Sequence, residues 1–124
     1  MSKNDTWSQN TLDNLTLREK IAQMMIYRMN LRMKDIPVEK WEKILDLIDK
    51  DGIGGIHFWY GEASTSLTML NKMQSRSKVP ILVDADIEHG LHQRFPEGTE
   101  VPPFMAIAAS GRPENAYEVG KIVA

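Results

Sequence analysis

Between Asp84 and His92 the chain gathers three carboxylates and two imidazoles, Asp84, Asp86, Glu88, His89 and His92, and Arg94 follows two positions on. They come directly after an apolar run, Pro80-Ile81-Leu82-Val83, that reads as a buried strand. In α/β proteins, side chains and loops at strand C-termini surround a crevice whose floor the strands hold rigid. Asp84, Asp86 and Glu88 alternate, so a persisting strand would put them on one face. Negative charges that close repel one another, which calls for a cation, an arginine or a hydrogen-bonding ligand among them. Arg94 is the local candidate. A sugar is the natural ligand, because carboxylates accept hydrogen bonds from adjacent hydroxyls and a guanidinium donates in return. Asp86 carries this reading furthest. The plainer alternative has Asp84 capping the strand while Glu88 and His89 are solvated loop residues.

A metal site is the competing chemistry. His89-x-x-His92, beside Glu88 and Asp86, offers nitrogen and oxygen ligands suited to zinc, manganese or iron. On a glycine-containing loop, however, that spacing sets no geometry. His57 lies within an apolar strand and reads first as a hydrogen-bonded core residue. Trp59-Tyr60 can wall a sugar ring or pack beneath a loop, and the packing role is the more ordinary one. The eight methionines, several clustered from Met24 to Met33, read as adaptable core filling. Gly54-Gly55 lacks the spaced glycines of a dinucleotide fingerprint, and neither a phosphate loop nor a Gly-x-Ser-x-Gly elbow occurs. No cofactor is implied.

These residues need elements to hold them. Thr16-Leu17-Arg18-Glu19 has the form of a capping box, predicting a helix from Leu17 to about Gln23. Met24-Met25-Ile26-Tyr27 extends that helix or forms a strand; so short a run does not separate the two. Val38, Trp41, Ile44, Leu45 and Ile48 recur at helical spacing over 37–50, with Pro37 at the start and Asp51-Gly52 as the stop. Ile53 to Tyr60 is β-branched and aromatic, a strand. Ser64 to Ser77 predicts a helix with Leu67, Leu70 and Met73 on one side, and Pro80 to about Ala85 the next strand. Pro113-Glu114 opens a last helix. Alternating helices and strands indicate an α/β protein with a parallel sheet.

The 124 residues suggest one domain at most, with residues 1–11 as an N-terminal tail and 12–124 as the folded part. A net charge of −2, with cations scattered, argues against a nucleic-acid partner. No apolar run approaches a membrane span, and the first residues lack the apolar stretch of a secretory signal. A cytoplasmic location is the default expectation. Nothing in the pattern sets an oligomeric state. The last residues are still helix-periodic with no stop signal, and two or three strands do not close a (β/α)₈ barrel of about 250 residues. The chain is therefore expected to be the N-terminal piece of something longer.

Four segments carry a family resemblance. Leu15-Thr16-Leu17-Arg18-Glu19-Lys20-Ile21-Ala22-Gln23-Met24 resembles the "LTLEEKIGQM" opening of family 3 glycoside hydrolases. Gly52-Ile53-Gly54-Gly55-Ile56 resembles their "GIGGV" strand, and Asp86-x-Glu88-x-Gly90-x-x-Gln93-Arg94 their "DxExGxxQR" segment. Pro102 to Ala106, then Ala109 to Glu114, follows their "FPxxMALGATGDPE" stretch. The resemblance runs from about Leu12 to Ala124. It implies the incomplete N-terminal part of a (β/α)₈ TIM-like barrel, from a retaining exo-β-glycosidase that acts on a β-N-acetylglucosaminide or β-glucoside.

It further implies that Asp86 and Arg94 grip hydroxyls of the terminal sugar, that Glu88 and His89 stand beside them, and that Met24 to Arg28 is the first barrel strand. His89-Gly90 resembles the β-glucosidase branch, Gln93-Arg94 the N-acetylhexosaminidase branch. His92 stands where a small residue is common, and Arg112 where an aspartate usually caps the following helix. A retaining enzyme needs a nucleophile and an acid/base about 5 Å apart, and in this family both come later in the chain. On that basis the chain alone is expected to be inactive. Two other classes stay open: a metal-dependent hydrolase using Asp86, Glu88, His89 and His92, and a non-catalytic sugar-binding remnant.

Overall fold

A computed structural model describes residues 3–30 and 36–124. Its elements are α1 (Lys3–Asp13), α2 (Leu17–Ala22), β1 (Ile26–Asn30), α3 (Val38–Asp46), β2 (Gly55–Tyr60), α4 (Ala63–Arg76), β3 (Leu82–Asp84), α5 (Phe104–Ala109) and α6 (Pro113–Val123). Among the described residues the three strands form one parallel sheet in the order β1-β2-β3. α/β is thus the fold class.

The N-terminal expectations hold in outline and shift in detail. The capping box forms: Thr16 Oγ1 accepts from the Glu19 amide at 3.2 Å, and the Thr16 amide donates to Glu19 Oε2 at 2.7 Å. Lys78 adds a bond to Glu19 Oε1 at 2.8 Å. That bond, then the Thr16 amide, lowers the Glu19 carboxyl to about 2. Met24 and Met25 belong to the turn after α2, so β1 starts at Ile26 rather than Met24. Both are exposed, while Met29 is buried; the methionine cluster is core only at that position, and Met33 lies outside the described residues. The segment expected as a tail is helical from Lys3 to Asp13, a polar helix tied by side-chain bonds such as Gln9 to Asp13 at 2.8 Å.

α3 buries Ile44 and Leu45, and the chain then widens into a π-helical turn, Leu47–Asp51, that adds Ile48. Gly52 ends it in the left-handed region at φ 74°, its amide donating to the Leu47 carbonyl at 2.9 Å. In α4 the buried stripe is Ser66, Met69 and Met73, with Leu70 half-buried beside it. These positions follow the i, i+3, i+4, i+7 rule. Leu67 falls off that stripe and is exposed, contrary to the predicted face.

Strand alternation then sorts β2. Ile56 and Phe58 point into the core with Ile44, Leu45, Ile48, Met69 and Met73, and Phe58 stacks on Phe95 at 4.6 Å between ring centroids. His57 and Trp59 therefore point to the opposite face. The register aligns Arg28 of β1 with His57, and His57 with Asp84 of β3. Since laterally paired residues of parallel strands project to the same side, that face carries a polar row across all three strands. Gly54 lets β2 approach the turn after α2: its amide donates to the Ala22 carbonyl at 3.0 Å, and a Cβ there would fall on the Gln23 carbonyl. β3 lies at the sheet edge, and Leu82, on a strand type normally covered on both faces, is 74% exposed. No helix of the described residues is long and apolar enough to cross a membrane.

Candidate functional site

The polar row and the loop after β3 meet at the C-terminal ends of the strands. β3 stops at Asp84, so Asp84, Asp86 and Glu88 do not share a strand face as their alternation suggested. What places Asp86 is Arg94, eight residues on. Arg94 is 5% exposed. Its Nε donates to the main-chain carbonyl of Asp86 at 2.6 Å, and Nη1 to that of Trp59 at 3.3 Å. Nη2 stands 3.9 Å from Asp86 Oδ2. The guanidinium also lies over the Trp59 ring, 4.2 Å from its centroid. One side chain thus ties the loop to the end of β2 and turns the Asp86 carboxylate, 58% exposed, outward beside it. The Arg94 carbonyl closes the tie by accepting from the Gly61 amide at 3.1 Å.

Gln93 does the same work for the preceding turn. Its Oε1 accepts from the amides of Glu88 at 2.7 Å and His89 at 3.2 Å, and its Nε2 reaches Glu88 Oε2 at 3.4 Å. Gly90 takes φ 79°, where a Cβ would stand 2.7 Å from the Thr99 carbonyl. The Val101 amide donates to the His89 carbonyl at 3.2 Å, closing the loop. Here lies the physical content of Asp86-x-Glu88-x-Gly90-x-x-Gln93-Arg94: glutamine and arginine hold the backbone that presents the aspartate.

The expected residues therefore separate. Asp86 and Arg94 come together. The Glu88 and His89 side chains are exposed on the turn that Gln93 pins, and Glu88 answers Gln93 rather than Arg94. His92 points elsewhere, its Nδ1 donating to the Pro96 carbonyl at 2.9 Å. Among the described residues no group of three His, Cys, Asp or Glu is arranged to hold a metal ion. The metal reading of Asp86, Glu88, His89 and His92 has no geometric counterpart: the loop fans their side chains outward.

His57, read first as a core histidine, belongs to this cluster. Its side chain is 17% exposed, Nδ1 lies 2.9 Å from Asp84 Oδ2, and Nε2 lies 3.8 Å from Asp86 Oδ2. Arg28 covers Trp59 at 3.6 Å from the ring centroid, approaching from β1 while Arg94 approaches from the β3 side. With two guanidiniums on one indole, Trp59 serves as a cation platform. Arg28 and His57 were not among the predicted site residues. The signal available was strand parity: His57 and Trp59 share a parity, opposite to the apolar Ile56 and Phe58. A cavity of about 550 Å³ lies elsewhere, a mainly apolar hollow against Leu17, Ile21, Met25 and Ile26. Its charged lining, Arg18 and Asp51, is paired at 2.6 Å and lies outside the polar row of the sheet.

A parallel α/β protein with a carboxylate, an imidazole and a guanidinium gathered at its strand C-termini is the class that fold and site define. Residues 16–124 match the family described as glycosyl hydrolase family 3 N terminal domain, and the chain belongs to that family. It is similar to a beta-N-acetylglucosaminidase/beta-glucosidase of Cellulomonas fimi, 28% identical over 71 residues, which is 57% of this chain and 13% of that protein. Among solved structures it is similar to a beta-glucoside phosphorylase BglX bound to 2FGlc, with a TM-score of 0.83 at 24% identity. That likeness concerns the fold, and covers 100% of this chain and 22% of the other. The chain thus spans a small part of each of these two proteins.

Proposed function

We propose that this chain is the sugar-gripping part of a retaining exo-β-glycosidase that removes a β-linked N-acetylglucosamine or glucose from a non-reducing end. The observation that carries this reading is the Asp86–Arg94 pair: an exposed carboxylate held by a buried guanidinium at the ends of parallel strands, within a family 3 domain. Asp86 accepts hydrogen bonds from ring hydroxyls of the terminal sugar. Arg94, with Nε and Nη1 committed to main-chain carbonyls, offers Nη2 toward the same place. The Cellulomonas fimi relative, by its name, acts on both sugars, and both are kept as substrates here.

The reading also assigns the architecture. The exposed Leu82 and Val83 on β3 and Ile26 on β1 are apolar side chains on strands that need cover on both faces. Further strand–helix units of the same protein would supply it, making this the first part of a (β/α)₈ barrel, in one domain over residues 12–124. The nucleophile and acid/base are read as lying in those units, so the chain binds sugar and does not hydrolyse it by itself. Glu88 and His89 line the rim.

Asp86→Ala in the complete protein carrying this chain tests the proposal. Turnover of 4-nitrophenyl β-glycosides is expected to fall by at least two orders of magnitude, with the fold retained by circular dichroism. Wild-type turnover in that variant refutes the assignment of Asp86.

A further inference from the structure

Asp86 is not the only acceptor aimed at this spot. His57 and Asp84 are register partners on β2 and β3, and His57 Nδ1 stands 2.9 Å from Asp84 Oδ2. A carboxylate accepts only, so Nδ1 is the donor of this bond. In the neutral tautomer that follows, Nε2 carries the lone pair, on the side of Asp86 Oδ2 at 3.8 Å. That separation is too long for a hydrogen bond. The ring is held in place by β2 and by Asp84, and it lies beside Trp59 at 6.1 Å between ring centroids. Two acceptors of different kinds, one immobilised by a neighbouring strand, thus converge on one point, with Arg94 Nη2 on the far side of the Asp86 carboxylate at 3.9 Å. Neighbouring hydroxyls of a pyranose present two donors at that scale.

We propose that His57 is a specificity-determining residue: its Nε2 accepts a hydrogen bond from one ring hydroxyl of the sugar while Asp86 Oδ2 accepts from the adjacent one, with Asp84 as the positioning residue that fixes the tautomer. This rests on the reading of Asp86 as a sugar-binding group. The alternative is a purely structural cross-strand pair, in which His57 and Asp84 simply fasten β3 to β2.

The test uses the complete protein carrying this chain and a series of 4-nitrophenyl β-glycosides, each lacking one ring hydroxyl. Wild-type kcat/KM is expected to drop at least tenfold on loss of either contacted hydroxyl, because an acceptor covered by the bound sugar is then left unpaired. His57→Ala is expected to lose about tenfold or more on the full glycoside and to show no further loss on one particular deoxy analogue. His57→Gln, which keeps an acceptor, restores part of the discrimination. Asp84→Asn, whose amide oxygen still accepts from Nδ1, loses less than Asp84→Ala. If His57→Ala does not fold, the Gln and Asp84 variants carry the same comparison. A loss spread evenly over every analogue, or no loss, overturns the inference and indicates the structural pair. Asp86→Ala is run alongside: wild-type turnover there overturns the sugar-binding reading itself, whereas a collapsed Asp86→Ala with an unchanged His57 profile overturns the present inference alone.

Discussion

Arg94→Met isolates the group that organises the site. The substitution keeps most of the buried aliphatic stem and removes the guanidinium. Lost with it are a 2.6 Å bond to the Asp86 carbonyl, a longer 3.3 Å bond to the Trp59 carbonyl, and the position over the Trp59 ring. A hydrogen bond from a charged donor contributes about 1.5–3 kcal/mol, with the longer one at the low end. A cation over an indole adds about 0.5–2 kcal/mol. Removing the cation also relieves its desolvation, so the net cost is about 3 kcal/mol rather than the full total. Because these bonds join the loop to β2 and not β2 to the core, the cost falls on local opening. Amide hydrogen exchange reads it directly. The Val101 and Gly61 amides, which donate to His89 and Arg94 carbonyls, should exchange about two orders of magnitude faster. Amides in the β1–β2 ladder should change much less. Arg94→Lys keeps the charge but not the fork, and should recover about half of the protection. Unchanged exchange at Val101 and Gly61 in Arg94→Met would show that the loop is held by something else, and would refute the argument.

Gly54→Ala should destabilise the chain by about 1–3 kcal/mol, since its Cβ has nowhere to go but the Gln23 carbonyl; a shift in urea midpoint measures it. Ser66 Oγ is buried without a hydrogen-bond partner among the described residues, so Ser66→Ala should leave the unfolding free energy read from urea curves unchanged or raise it by about 1 kcal/mol. Glu19, whose carboxyl is lowered from 4.5 to about 2 by Lys78 and then Thr16, contributes stability that is full above pH 4.5 and lost as pH falls toward 2. Glu19→Gln should therefore be less stable than wild type at pH 6, with the gap closing near pH 2 in paired denaturation curves.

Much of the scaffold was legible residue by residue. The capping box at Thr16, the stripe through Ile44 and Ile48, the glycine stop at Gly52 and the proline start at Pro113 are local signals, and each element starts or stops close to where its signal stands. α1 escaped because it has no apolar stripe, and α5 because six residues after Pro103 are too few to show a period. β1 moved two residues toward Asn30 because Met24 and Met25 turn to let the Gly54 amide reach the Ala22 and Met25 carbonyls, a contact between segments thirty residues apart.

From the sequence alone came the residue types of the site: a carboxylate-rich turn behind an apolar strand, with an arginine eight places from the central aspartate. Such a pattern follows from chemistry that needs charge at a strand end, and it is local. Which of those charges face one another was decided by the sheet. Parallel register set Arg28, His57 and Asp84 in one row, and the buried guanidinium of Arg94 bent the loop so that Asp86 joined them while Glu88, His89 and His92 turned away. Pairing across strands depends on register and loop closure, and neither is encoded at any single position along the chain.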